Sequence, residues 1–150
     1  MTDAKRWAAA RGKRPFQTNG RAASSTDSTT WAQFADVKGC NHGFMLGAGF
    51  ACIDLDGCFR NGRLQAWARR IVDAVPDAFI ERSISGNGLH IFGLLPEARG
   101  RKYGNVEIYS RARFIRTTAD VWTPGELVAL TPAVHVIQEM ANAGKLAKKK

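Results

Sequence analysis

Asp54 and Asp56 stand two residues apart in the run Ala51-Cys52-Ile53-Asp54-Leu55-Asp56-Gly57. Side chains on a strand alternate between faces, so Ala51, Ile53 and Leu55 point one way and Cys52, Asp54 and Asp56 the other. Two carboxylates on one face repel unless a cation lies between them or one takes up a proton. A hard divalent ion with oxygen ligands, Mg²⁺ or Mn²⁺, meets that need. The pair also fits a plain strand end, with Asp56-Gly57 opening a turn and Asp54 in solvent.

Two further stretches carry chemistry. Ser85-Gly86-Asn87-Gly88-Leu89-His90 joins a glycine turn to a histidine, and Glu107 lies between the apolar Val106 and Ile108. Three carboxylates on neighbouring strands, with a histidine and a glycine turn beside them, are the parts of a two-metal phosphoryl-transfer site. Cys40, Cys52 and Cys58 are an odd set without a C-x-x-C pair. Their spacing suits reduced thiols in a reducing compartment and does not suit zinc.

The elements that must position these groups follow from periodicity. Propensity predicts a helix over 2–10, rich in alanine, and a loop over 16–28. Pro15 holds Lys13 and Arg14 in an extended segment, so that their side chains diverge. Ser28-Thr29-Thr30 reads as a cap before a short helical face of Trp31, Phe34 and Val37. Strands are predicted over 43–46 and 50–54, joined as a hairpin by Gly47-Ala48-Gly49. Leu64, Trp67, Ile71, Val72 and Val75 recur at helical spacing up to Pro76, with Trp67 in the core. Strands 79–83 and 89–94 form a hairpin about 85–88, and strands 105–109 and 113–117 another about 110–112. A last helix spans 132–143, with Thr131 as N-cap and Pro132 at its first position.

At 150 residues, 45% hydrophobic and 23% charged, the chain has the composition of one soluble globular domain over 1–144. Residues 145–150 form a basic tail that hints at a longer protein. Apolar runs are too short to span a bilayer, and the N-terminus lacks a signal-peptide core, which points to the cytoplasm and to no membrane partner. The net charge is +9, and it is unevenly placed. Residues 1–22 carry Lys5, Arg6, Arg11, Lys13, Arg14 and Arg21 against Asp3; residues 99–116 carry Arg99, Arg101, Lys102, Arg111, Arg113 and Arg116 against Glu107. Positive charge on both sides of an acidic motif suits a protein that holds polyanions and metal together.

The ordered series Asp54-Leu55-Asp56, Ser85-Gly86-Asn87-Gly88-Leu89-His90, Val106-Glu107-Ile108-Tyr109 and Arg113-Phe114 resembles the primase-polymerase (prim-pol) N-terminal domain of phage and plasmid replication proteins. That family belongs to the archaeo-eukaryotic primase superfamily. Lys13-Arg14-Pro15-Phe16 and Asn19-Gly20-Arg21 are similar to its N-terminal signature, so the resemblance spans most of the chain. It implies an α/β (α+β) fold of mostly antiparallel or mixed sheets, with an RRM-like catalytic part and helices outside. It implies further that Asp54, Asp56 and Glu107 ligate two Mg²⁺ or Mn²⁺ ions and that His90 contacts the incoming triphosphate. Ser85 and Gly88 belong to the histidine's motif, where glycines let backbone N–H groups approach phosphate oxygens. Arg113 matches a basic residue that neutralises the triphosphate, and Lys13 and Arg14 add to the nucleotide site. The sequence departs from the family at Thr117-Thr118-Ala119, where Thr-Gly is common. No Walker lysine motif is present, so a helicase module of the kind often fused behind such domains is not within these residues.

The implied activity is DNA primase and polymerase chemistry on single-stranded or primer-template DNA with nucleoside triphosphates. Two rivals share some of the residues. A metal-dependent endonuclease or nickase would use carboxylates and histidine, although nickases generally pair two histidines about one apolar residue and Leu89-His90-Ile91 offers one. A non-catalytic nucleic-acid-binding domain would leave the acids solvated.

Overall fold

A computed structural model of the chain describes residues 1–146. Its main sheet has six strands in the order β12 (Val121–Thr123), β7 (Phe79–Arg82), β8 (Leu89–Leu94), β4 (Phe50–Leu55), β10 (Val106–Tyr109) and β9 (Arg101–Tyr103). A second sheet has four, in the order β11 (Arg113–Thr117), β3 (His42–Leu46), β1 (Trp7–Arg11) and β2 (Arg14–Phe16). Neighbouring strands in both sheets are antiparallel. A small ribbon pairs β5 (Phe59–Arg60) with β6 (Arg63–Leu64), and the helices are α1 (Phe34–Val37), α2 (Ala66–Asp73) and α3 (Thr131–Asn142). The architecture is α+β and mostly antiparallel, as the sequence predicts.

The main sheet is buried on both faces, and alternation decides what each face meets. Ile53, Leu55, Ile80, Leu89, Ile91, Val106 and Ile108 pack against Ala68, Ile71 and Val72 of α2 and Val134, Ile137 and Met140 of α3. On the other face Cys52, Phe92 and Tyr109 pack with Trp7, Phe44, Leu46 and Ile115 of the smaller sheet. Gly93 lies at a close crossing of the chain, since a Cβ there would stand 2.5 Å from the Leu130 side chain and the Val128 carbonyl.

The predicted helix over 2–10 is strand β1. Ala8, Ala9 and Ala10 favour helix by only a few tenths of a kcal/mol each, whereas the strand conformation pairs β1 with both β2 and β3. It also buries Trp7 between Phe34 and Phe44, with ring centroids 4.7 and 5.1 Å away. Gly12, at φ 59°, and Lys13 make the two-residue turn into β2.

Two expected hairpins are instead crossings between the sheets. Gly47, Ala48 and Gly49 all have positive φ, at 135°, 53° and 96°, and carry β4 away from β3 after the single bridge Gly47↔Phe50. Likewise β11 leaves β10 at Ser110–Ala112 and pairs with β3, Ile115 opposite Phe44. The expected hairpin of β7 and β8 is present, Ile80 opposite Ile91.

Smaller differences have local causes. Asp27 caps a 3-10 turn at Ser28–Thr30 by accepting from Thr29 N, so these residues form a turn and not the cap of α1. Trp67 is half-buried at the edge of the core. Leu130 precedes the first residue of α3, which begins at Thr131, and Gly144 closes it at φ 68°. Of the expected tail, Lys145 donates its N–H to the Met140 carbonyl and Leu146 packs on the core, while 147–150 lie outside the described residues.

Candidate active site in the inter-sheet cleft

Register alone aligns five ionisable side chains across the main sheet. Lys102 on β9 is directly opposite Glu107 on β10, Glu107 opposite Asp54 on β4, Asp54 opposite His90 on β8, and His90 opposite Glu81 on β7. Directly opposed residues share a face, and this face looks toward the smaller sheet. Two positions along each strand, the row Tyr109, Cys52, Phe92 and Phe79 is apolar and belongs to the inter-sheet core. The polar row therefore stands where that core ends and the sheets part.

There they enclose a cleft of about 500 Å³. Asp54, Asp56, Glu107 and His90 line it, together with Ser83, Ser85, Lys13, Lys102, Arg113 and Arg116. Asp56 lies just beyond β4, where its N–H donates to the Asn105 carbonyl at 2.9 Å. Glu107 is 6% exposed, and each of its oxygens has a neighbour: the Tyr109 hydroxyl donates to Oε2 at 3.1 Å, and Lys102 Nζ lies 3.5 Å from Oε1. Arg113 stacks over the Tyr109 ring at 4.3 Å. His90 Nε2 is 3.6 Å from Asp54 Oδ1. Burial, and then the charge of Lys13, pushes its pKa down to about 4, so the ring is neutral near pH 7.

Glu81 ends the row and serves the loop after β11. Its Oε1 and Oε2 accept from Thr118 N and Ala119 N, each at 3.0 Å. Burial raises its pKa despite those two donors. Ala119 has φ 59°, the left-handed conformation that glycine adopts most easily. At this departure from the family pattern the chain keeps a glycine-like backbone with an alanine in place.

The turn before His90 differs in detail from its expected role. Gly86 N donates to Ser83 O, Asn87 N to Ser85 Oγ and Gly88 N to Ser83 Oγ. The Gly88 amide is thus bonded within the turn and not presented to a phosphate. Gly88 is required by space, because a Cβ would sit 2.8 Å from the Leu55 carbonyl oxygen. Ser85 does line the cleft. Of the two N-terminal basic residues Lys13 reaches the cleft, while Arg14, exposed on β2 opposite Arg11, is not among its lining residues. Lys102 and Arg116 reach the cleft from the basic 99–116 stretch, and Tyr109 ends the Glu107 motif on the same face by alternation, though sequence alone assigned none of them an individual role; Ser83 completes the lining.

Among the described residues no group of three or more His, Cys, Asp or Glu side chains is gathered closely enough to hold a metal ion. The donor chemistry nevertheless fits a hard divalent cation. Asp54, Asp56 and Glu107 offer only oxygens to one cleft, and Mg²⁺ usually takes one or two carboxylates, with waters and substrate phosphates completing its shell. Cys40 is exposed and apart from the cleft, and burial raises the pKa of Cys52 well above its ordinary value and that of Cys58 to about 12.

The family described as bifunctional DNA primase/polymerase, N-terminal, matches residues 5–146. The chain belongs to it. Membership in the primase/polymerase family carries a DNA-synthesising type of activity, binding of DNA and nucleotides, and a general dependence on divalent metal. A search of curated proteins finds no match. No helix among the described residues is long and apolar enough to cross a membrane.

Proposed function

We propose that the cleft carries out template-directed nucleotidyl transfer in phage or plasmid DNA replication, with Asp54, Asp56 and Glu107 as ligands of two Mg²⁺ or Mn²⁺ ions. The observation that supports this most is the register that sets Glu107 beside Asp54 at the open end of the inter-sheet core, with Asp56 on the same cleft. Bound ions would supply activation of a primer 3′-hydroxyl and stabilisation of the pyrophosphate leaving group.

The chain's own residues supply the rest. Lys13, Lys102, Arg113 and Arg116 line the cleft and offset the charge of a triphosphate. His90, neutral, offers hydrogen bonding to a phosphate and not a counter-charge. Tyr109 holds the Glu107 carboxylate, and its ring keeps Arg113 over the cleft. Ser85 adds a hydroxyl from the turn.

The test is incubation with labelled primer-template DNA and Mn²⁺, with and without nucleoside triphosphates. Lengthening that requires triphosphates and is lost in Asp54→Ala supports the reading. Shortening without triphosphates points to a nuclease instead, and salt-sensitive binding with no reaction points to a non-catalytic domain.

A further inference from the structure

Between Asp56 and α2 the chain makes the β5–β6 ribbon, a feature with no part in the cleft. Its turn, Asn61-Gly62, has both φ angles positive, 52° and 74°, the geometry of a tight two-residue hairpin. That turn sets Arg60 directly opposite Arg63. Like charges directly opposed across strands are destabilising, yet both arginines are exposed, and neither has an ion pair or side-chain hydrogen bond among the described residues. Arg69 and Arg70, exposed on the adjoining α2, add to the same charge. The residues 59–70 hold four arginines and no acid.

The ribbon is held firmly at its base. Cys58 N donates to the Asn87 carbonyl, Gln65 N to the Cys58 carbonyl, and Gln65 Nε2 to the Gly57 carbonyl. Phe59 packs edge-on against Trp122 at 5.2 Å, with Arg82 over both rings. A rigid tip with two paired, unneutralised guanidinium groups is thus attached to the rim of the cleft. The four-residue path from Asp56 to Arg60 spans at most about 14 Å.

We infer that the Arg60-Asn61-Gly62-Arg63 tip is a phosphate-backbone contact for the duplex part of primer-template DNA, an inference that rests on the cleft being a DNA-synthesising site. Guanidinium forks suit phosphate oxygens, and arginine is used throughout this patch where lysine would serve a solvated face equally well. The choice of duplex follows from what the tip lacks. Single strands are held in grooves with aromatic side chains on which bases stack, whereas the shallow hollow at this tip, lined by Arg60, Asn61, Arg63, Leu64, Gln65 and Ala66, has no aromatic ring. The nearby rings of Phe59 and Trp122 are already covered by Arg82. A duplex hides its bases and offers paired phosphates, which is what a purely cationic tip can grip.

The experiment measures DNA affinity of the whole chain and of the double variant Arg60→Gln/Arg63→Gln in EDTA without nucleotides, from about 50 to 200 mM salt. Binding so measured does not depend on catalysis, so failure of this inference and failure of the cleft assignment are separable. The variant should bind primer-template more weakly, with its log-log salt slope shallower by about 1.8, or about 0.9 for each lost duplex phosphate contact. Its affinity for a single strand of equal length should be unchanged. An unchanged slope on primer-template overturns the inference, as does an equal loss on the single strand. A lowered melting temperature with an unaltered slope assigns the arginines a structural role and overturns it too.

Discussion

Glu107 on β10 and Asp54 on β4 are direct cross-strand partners on the face of the main sheet that looks into the cleft. Opposed carboxylates repel, and Lys102, 3.5 Å from Glu107, supplies a counter-charge on one side of the pair, while the neutral His90 stands beside Asp54 on the other. If the pair exists to hold divalent ions, Asp54→Asn and Glu107→Gln should each lower nucleotide incorporation by more than about 100-fold, beyond the range for residues that only orient a ligand. Melting temperature should hold or rise, because a repelling charge has been removed. Incorporation within tenfold of wild type in either variant would show that the chemistry lies elsewhere.

Lys102 and Tyr109 both touch Glu107 but should act in opposite directions on metal affinity. Lys102 Nζ lies 3.5 Å from Oε1, and its positive charge would oppose a cation held by Glu107, so Lys102→Met should bind Mn²⁺ more tightly in the absence of nucleotide. The Tyr109 hydroxyl fixes Oε2. Tyr109→Phe leaves the ring under Arg113 and should weaken Mn²⁺ by roughly 10- to 100-fold. Titration of Mn²⁺ by electron paramagnetic resonance reports free ion directly, and equal shifts of the same sign in both variants would contradict this division.

Gly88 is a question of space and Gly86 one of backbone angle. Gly88→Ala would bring a Cβ to 2.8 Å from the Leu55 carbonyl and 3.0 Å from Ser83 Oγ, and neither the β4 backbone nor a hydroxyl that holds the turn can yield freely. The cost should be roughly 1–3 kcal/mol, as for other overpacked sites. It should be accompanied by a raised nucleotide KM, because the turn carries Ser85. Gly86→Ala meets nothing within 4 Å, and its cost comes from φ 79° alone, roughly 1–2 kcal/mol. Denaturant titration of both variants with steady-state kinetics separates the two effects.

What the sequence disclosed, and what it withheld, divides along physical lines. Alternation identified β4, β7, β8 and β10 and put Asp54 and Glu107 on definite faces, since period-2 patterning is a local property. Helical spacing identified α2 and α3 for the same reason. It misplaced β1 because the alanines weigh toward helix, and only pairing with β3 through Trp7 and Phe44 reverses this. It joined β3 to β4 and β10 to β11 because the sheet a strand enters is decided by distant partners. Lys102 entered only as part of the basic 99–116 charge, because its strand β9, a three-residue edge strand without apolar alternation, was not predicted. The basic 99–116 stretch does reach the cleft through Lys102, Arg113 and Arg116, but of residues 1–22 only Lys13 does. Charge drew attention to 1–22 and 99–116, where bases outnumber acids most, and away from the arginines of the β5–β6 ribbon.

His42 ties the smaller sheet to its edge strand and should make the fold sensitive to acid. Its Nδ1 meets Thr117 Oγ1, and its ring packs edge-on to Trp7 and Phe34, each at 5.5 Å. Burial, and then the charge of Arg116, lowers its pKa in the folded chain. The unfolded chain protonates near the ordinary value of about 6.5. Below that pH the unfolded state holds more protons, so the stabilising effect of His42 is complete above about 6.5 and is lost as pH falls toward the lower folded value. His42→Asn keeps a polar group and removes the titration. The stability gap between wild type and variant, measured by urea unfolding in EDTA, should therefore be wider at pH 7.5 than at pH 5. A gap that stays constant over this range would mean that the imidazole titrates alike in the folded and unfolded chains, and that acid sensitivity in this fold arises from other groups.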